Sequence, residues 1–238
     1  DRAGTPGTAM TFFPWEHAPR GGSGSGATEA TGFSVPAGSL EFWGERLKGA
    51  GASPQEVDTR FDEESLRCED PDGLTFEIVA GPATRETTAG APVHPDIPTE
   101  FAVHAFHGVL LDVVDPDPTA RLLTDVMGFE HVGEYGGRLR FRTDEHEVGS
   151  IVDLRSAGSG ARVYTGRGSV HHVAFRARDD EEQQSWRETI TNAGIPVTTV
   201  QDRCYFHSIY FHEPGGVLFE IATDTPGFGI DESEEELG

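Results

Sequence analysis

The feature that most restricts this chain is internal repetition. EDPDGLTFEI at residues 69–78 returns in phase as HEPGGVLFEI at 212–221, an offset of 143 residues, and FSV at 33–35 falls near FRA at 175–177 at an offset of 142. Stretches so alike in spacing and order point to one supersecondary unit duplicated within the chain.

Each unit reads as a strand, a helix and further strands. In the first, residues 29–35 predict a strand. A helix over 39–49 carries Leu40, Trp43 and Leu47 at helical spacing, between a Ser39 N-cap and a Gly49-Ala50-Gly51 stop. A strand around 65–68, the turn Asp70-Pro71-Asp72-Gly73 and a strand at 74–79 complete it. After a Pro-rich stretch at 81–98 the order returns, with a strand at 107–113, a helix at 119–127, and strands around 131–135, 139–142 and 149–154. The third copy fills 170–222, and its helix at 180–192 carries Trp186 and Ile190 on one face before Gly194 ends it. The same offset applied to His107 falls about 35 residues before Asp1. A further unit is therefore expected, with residues 8–13 as its last strand, stopped by Pro14, and a natural start roughly 40 to 60 residues upstream.

The expected fold is α+β, with tandem βαβββ modules forming two cupped mixed β-sheets and the first module truncated. The expected partition is an N-terminal, metal-free module pair at 1–80, a connector at 81–100, a C-terminal module pair at 101–228 and an acidic tail at 229–238.

Charge limits the partners. Acidic residues outnumber basic ones 41 to 18, and Lys48 is the one lysine, so the surface is a carboxylate field dotted with arginines. Such a field repels nucleic acid and anionic membranes. Lysine depletion on this scale reads as halophilic adaptation, in which hydrated carboxylates keep the chain dispersed in concentrated salt. Cys68 and Cys204 are too few and too far apart for a disulfide framework, which suits a reducing cytoplasm. No apolar run reaches the length of a membrane span.

Paired strand-helix-strands modules ending in PDGLTFEIV or PGGVLFEIA resemble the vicinal oxygen chelate superfamily, which includes glyoxalase I, bleomycin-resistance proteins and extradiol dioxygenases. Three longer stretches resemble its hydroquinone ring-cleaving branch: VHHVAF at 170–175, DRCYFHSIYF at 202–211 and TFFPW at 11–15. The resemblance implies an iron(II) centre, with manganese(II) as the alternative metal, held by two His and one Glu. Carried over by position, the ligands are His107, His172 and Glu220. It also implies that His171, Arg203 and Tyr210 bind and polarise the substrate.

Chemistry supports that set less specifically. Two imidazoles and one carboxylate on a single face of iron(II) leave positions open for substrate and oxygen. The first half is an internal control: Glu77 takes the place of Glu220, but Ala30 takes that of His172, so the repeat keeps the strand without the imidazole. Other readings stay open. His172 and Glu220 also suit a hydrogen-bonded core pair, although burying two ionisable groups without a metal is costly. His104, three residues from His107, is the alternative first ligand, and on a regular strand only one of the two faces the metal. On a regular strand His171 points away from His172, so either the strand is distorted at its start or His171 works from the rim, with a structural role as the other reading. Arg203 suits either a surface ion pair or the stabilisation of a phenolate, and Tyr210 either core packing or the site.

The reading that unites these features is an iron(II)-dependent ring-cleaving dioxygenase that takes a small aromatic diol and O2, cytoplasmic, with a homodimer as its expected assembly. The alternatives are a glyoxalase-type lyase or isomerase, which asks for four protein ligands, and a non-catalytic binding protein, which needs no metal.

Overall fold

The computed structural model describes residues 8–15, 17–22, 24–81, 96–143, 149–158 and 163–231. Most of the expected connector and most of the acidic tail lie outside these residues. Two mixed sheets and three main helices make up the fold, as the α+β reading requires.

The first unit runs β1 (Ala27–Val35), α1 (Leu40–Gly49), β2 (Asp58–Arg60), β3 (Glu63–Glu69) and β4 (Thr75–Ala80). Its helix crosses over so that β1 and β4 lie parallel, with Gly32 opposite Glu77. Leu40 and Trp43 are the buried face of α1 and meet Val35, Leu66, Ile78 and Ala80. Trp43 Nε1 donates to the carbonyl of Phe101 at 2.9 Å, so burial leaves its polar edge satisfied. Ser39 stands at the N-terminus as expected, but its hydroxyl makes no capping bond.

The next unit contains β5 (Ala105–Val113), α2 (Pro116–Arg121), β6 (Glu130–Tyr135), β7 (Arg138–Arg142) and β8 (Ile151–Ser156). The helix begins three residues earlier than the predicted 119. Asp115 accepts from the amide of Asp117, and Pro116 occupies the first turn, where a missing N–H costs nothing. A π-turn at Leu122–Val126 follows it.

These two units share one eight-stranded sheet, ordered β2-β3-β4-β1-β5-β8-β7-β6. The expected division into halves at 81–100 is therefore not how the sheets divide: β1 and β5 pair antiparallel across it, with Gly32 opposite Gly108. Gly108 has no room for a side chain on its β8 side, and Gly32 sits tightly against it across the seam. A Cβ on Gly108 would stand 2.4 Å from the Ile151 carbonyl oxygen, and one on Gly32 would stand 3.3 Å from that of Gly108.

The last unit, β9 (Val173–Ala177), α3 (Asp180–Asn192), β10 (Gln201–Asp202), β11 (Phe206–His212) and β12 (Leu218–Pro226), forms a separate four-stranded sheet ordered β10-β11-β12-β9. Among the described residues the outer edge of β9, the counterpart of the β1–β5 seam, has no strand beside it. The helix fills the predicted 180–192, capped by Asp179, whose carboxylate accepts from the amide of Glu182 at 2.9 Å. Trp186 and Ile190 pack inward as predicted, against a core that joins Leu111, Leu123 and Leu154 to Ile209, Phe211, Phe219 and Ile221. Each such side chain, once fully buried, contributes about 1.5–3 kcal/mol. Glu213 locks the two units together: its buried carboxylate accepts from Thr119 Oγ1 at 2.5 Å and from the amides of Gly215 and Val217 at 2.8 and 2.7 Å.

Residues 8–13 do not form the strand predicted for them. Among the described residues no partner strand lies beside them, and a lone strand cannot satisfy its backbone.

Candidate active site

The sheet register fixes the geometry of the four-stranded sheet. Glu220 on β12 sits opposite Ala174 on the parallel β9 and opposite Tyr210 on the antiparallel β11. His172, two residues before Ala174, stands just ahead of β9, and its Nε2 lies 2.6 Å from Glu220 Oε2. The other oxygen, Oε1, accepts from Tyr210 at 2.8 Å and from Ser208 at a shorter distance. Glu220 is only 2 % exposed. Burial alone would raise its pKa, but the bonds from His172, Ser208 and Tyr210 outweigh that and hold it below the ordinary carboxylate value.

Tyr210 moves the other way. Burial and the Glu220 carboxylate raise its phenol, so it stays a proton donor at neutral pH. The Arg203 guanidinium packs over the same ring, 5.4 Å from its centroid. Arg203 belongs to the tight hairpin between β10 and β11, where Asp202 accepts from the Cys204 amide and Cys204 takes a positive φ of 69°.

His171 does not point away from His172. Both histidines precede β9, so strand alternation does not govern them, and their Nδ1 atoms lie 2.8 Å apart with perpendicular rings. A neutral His172 that donates from Nε2 to Glu220 accepts at Nδ1 from His171 Nδ1. Burial and the neighbouring His172 keep His171 below its usual pKa.

The structure thus brings together His172, Glu220, Tyr210, His171 and Arg203. It does not bring His107 to them. His107 lies in the eight-stranded sheet, where its Nε2 is 3.0 Å from Glu63 Oε1. The register explains the difference. Asp153 on β8 faces Leu110 as Glu220 faces Ala174, so the β5 counterpart of His172 is Gly108, and His107 is one residue off. His104 does not replace it; its amide donates to the carbonyl of Ser34, and it takes no place beside His172 and Glu220.

The eight-stranded sheet holds the duplicated counterpart of the site, filled with ion pairs. Glu77, at the position of Glu220, accepts from Arg138, Arg60 and Arg67, while Arg140 bridges Asp153 and Glu63. The cavity that Glu77, Arg138, Arg140 and Asp153 line together is about 20 Å³, room for roughly one water. Ser208 was missed by sequence reasoning, although it was legible in principle: it lies two residues from Tyr210 on β11 and so shares its face.

A divalent metal suits the donors present, a carboxylate and an imidazole aimed at one another with the spare carboxylate oxygen held by Ser208 and Tyr210. Two donors are not a full set. Among the described residues no group of three or more His, Cys, Asp or Glu converges.

Repeated βαβββ units on mixed sheets, with an imidazole just ahead of the first strand of one unit paired to a carboxylate on its last strand, define a recognisable class of protein. The chain belongs to the Glyoxalase/Bleomycin resistance protein/Dioxygenase superfamily, whose profile matches residues 105–221. It is 41% identical over 238 residues to "Putative ring-cleaving dioxygenase MhqO" of Bacillus subtilis, covering 100% of this chain and 74% of the relative. It is 31% identical over 245 residues to "Chlorohydroquinone/hydroquinone 1,2-dioxygenase" of Sphingobium indicum, covering 99% and 74%. A crystal structure of a "putative dioxygenase" from Bacillus subtilis superposes with a TM-score of 0.92 at 41% identity, over 99% of this chain and 74% of the other. No helix among the described residues is long and apolar enough to cross a membrane.

Proposed function

We propose that this protein is an iron(II)-dependent dioxygenase that opens the ring of hydroquinone-like diols and places both atoms of O2 in the product. The observation that carries this reading is the His172–Glu220 pair, with Tyr210, Arg203 and His171 gathered around it. The names of the relatives support the reaction class.

His172 and Glu220 would hold the metal, iron(II) or manganese(II). The metal would supply a redox-active Lewis acid with positions open to substrate and oxygen. The remaining work belongs to the chain. Arg203, a fixed cation, favours the phenolate of the diol, and the His171 imidazole accepts the proton that the hydroxyl gives up. Tyr210 Oη donates to the Glu220 carboxylate and holds it in one orientation.

The test is anaerobic loading with iron(II), followed by oxygen uptake on hydroquinone, catechol and a hemithioacetal. Uptake of one O2 per hydroquinone is expected, with labelled dioxygen delivering both atoms. Uptake with catechol alone moves the chemistry to ordinary extradiol cleavage; hemithioacetal turnover without uptake makes the protein a lyase. Failure to retain any metal leaves only a binding role.

The halophilic reading rests on a net charge of −23 with one lysine. Screening of that self-repulsion should raise the melting temperature steadily as KCl goes from about 0.1 M to molar levels. A melting curve indifferent to salt would remove it. Free Cys68 and Cys204 fit a cytoplasmic setting.

A further inference from the structure

Beside the histidines stands a pair of aromatic rings that no step so far uses. Phe13 and Trp15 stack on each other with centroids 5.5 Å apart. Phe13 lies 5.3 Å from the ring of His171 and 6.3 Å from that of His172, and Trp15 meets His171 edge-on at 5.3 Å. These are not core residues, since they remain 45% and 41% exposed. Two large apolar rings left half open beside a buried carboxylate and two imidazoles are a surface awaiting an apolar, flat occupant.

Local chemistry explains how they are held. The Trp15 amide donates to the Phe13 carbonyl at 2.8 Å around Pro14, whose fixed φ suits so tight a turn and throws both side chains to one side. Just beyond, the chain is clamped to the loop that leads into the histidines. The amide of Arg167 donates to the Pro19 carbonyl at 3.0 Å, its Nε donates to that of Ala18 at 2.8 Å, and its own carbonyl accepts from Gly21 at 2.9 Å. Gly166 permits the approach, since a Cβ there would lie 2.3 Å from the Pro19 oxygen. The ring pair and the histidine pair are thus two ends of one clamp.

The repeat supplies an independent pointer. Met10-Thr11-Phe12-Phe13 matches Leu74-Thr75-Phe76-Glu77 and Val217-Leu218-Phe219-Glu220 in phase, so Phe13 takes the position at which the other two units carry their inward glutamate. Where those units offer a carboxylate, this one offers a phenyl ring, and that ring lies beside His171 and His172.

We propose that Phe13 and Trp15 form the wall against which the ring of the diol stacks, and that they make the site choose aromatic over saturated diols. This rests on the ring-cleavage reading and deepens it. Phe13 and Trp15 are positioning residues for the substrate plane; the proton and metal chemistry stays with the groups already described.

The test is anaerobic binding of hydroquinone to the iron(II)-loaded protein, with cyclohexane-1,4-diol as the saturated control, for wild type, Phe13→Ala and Trp15→Ala. Wild type should prefer hydroquinone strongly. Each variant should weaken hydroquinone binding roughly tenfold, a loss the size of one good aromatic contact, with weak binding of the saturated diol, bound iron and melting temperature unchanged. Hydroquinone binding within about twofold of wild type in both variants would overturn the proposal, and so would an equal loss for both diols. If the wild type retained iron but bound no diol at all, the ring-cleavage reading itself would fall, and this wall with it.

Discussion

Replacement of Glu220 by alanine should remove bound iron(II) and reduce oxygen uptake on hydroquinone by at least about a thousandfold. The carboxylate is the hub of the site, 2 % exposed and in contact with His172, Ser208 and Tyr210. Its loss also orphans buried hydrogen-bond donors, at a cost of about 1–3 kcal/mol for each one left unsatisfied. Glu220→Gln separates the two effects: it keeps the shape and an acceptor for Ser208 and Tyr210 but carries no charge for a cation. It should fold like the wild type and still bind iron poorly. His172→Ala should behave like Glu220→Ala in both assays, whereas His107→Ala should keep its iron. Metal analysis on purified, folded variants decides the matter, and wild-type iron content in Glu220→Ala would disprove the site.

The second large effect lies in the other sheet and concerns stability. Glu77 accepts from Arg138 at 2.8 and 3.2 Å, from Arg60 at 3.0 and 3.3 Å and from Arg67 at 3.3 Å, with its side chain 8% exposed. Breaking a buried ion pair by removing one partner costs about 3–5 kcal/mol, because the charges left behind stay desolvated. Glu77→Ala is therefore expected to lose stability on that scale while retaining bound iron, because Glu77 and Glu220 occupy different sheets. Acid should expose the same interaction. Burial raises the Glu77 pKa, but the arginines more than reverse this and bring it from 4.5 down to about 2. A carboxylate depressed on folding adds stability that is fully present above its unfolded pKa and is lost as pH falls through its folded one. For Glu77 the window runs from 4.5 down to about 2 and the contribution is about 3 kcal/mol. Chemical denaturation across that range should show a shallower acid slope in Glu77→Gln; an identical slope would show that the network is not what stabilises this sheet.

That contrast shows what duplication did with one template. Both sheets keep the Phe-Glu-Ile strand and its parallel first strand. In one, the glutamate meets an imidazole; in the other, three guanidiniums close the space. Ala30 against His172 shows from sequence that the first copy lacks the imidazole, and the registers Gly32 with Glu77 and Ala174 with Glu220 place both residues where that comparison puts them. The ion pairs that fill the vacated space were not legible. Arg60 on β2 lies far in sequence from Arg138 and Arg140 on β7, and each alone reads as an ordinary surface arginine in an acidic chain.

His107 is the instructive error. Its strand was found, but a histidine near the start of a first strand was matched to His172 without the register that decides which residue lies opposite the carboxylate. Side chains alternate along a strand, so a shift of one residue changes which partner a group can meet. His171 meets His172 because both stand ahead of β9, outside the regular strand that alternation governs, which is the distorted start that the sequence left open.

The sequence by itself determined the repeated unit, the α+β class and the helix at 180–192, which rest on local pattern or in-phase repetition that a linear string preserves, and its family resemblance singled out His172, Glu220, Tyr210, Arg203 and His171, which the structure gathers in one place. Only the tertiary structure decided which units share a sheet, that β1 and β5 pair across the expected boundary, that His107 belongs with Glu63, and that Phe13 and Trp15 face the histidines. Pairing of this kind depends on contacts between distant segments, where the closeness of two glycine backbones or the burial of a charge among its partners sets the outcome.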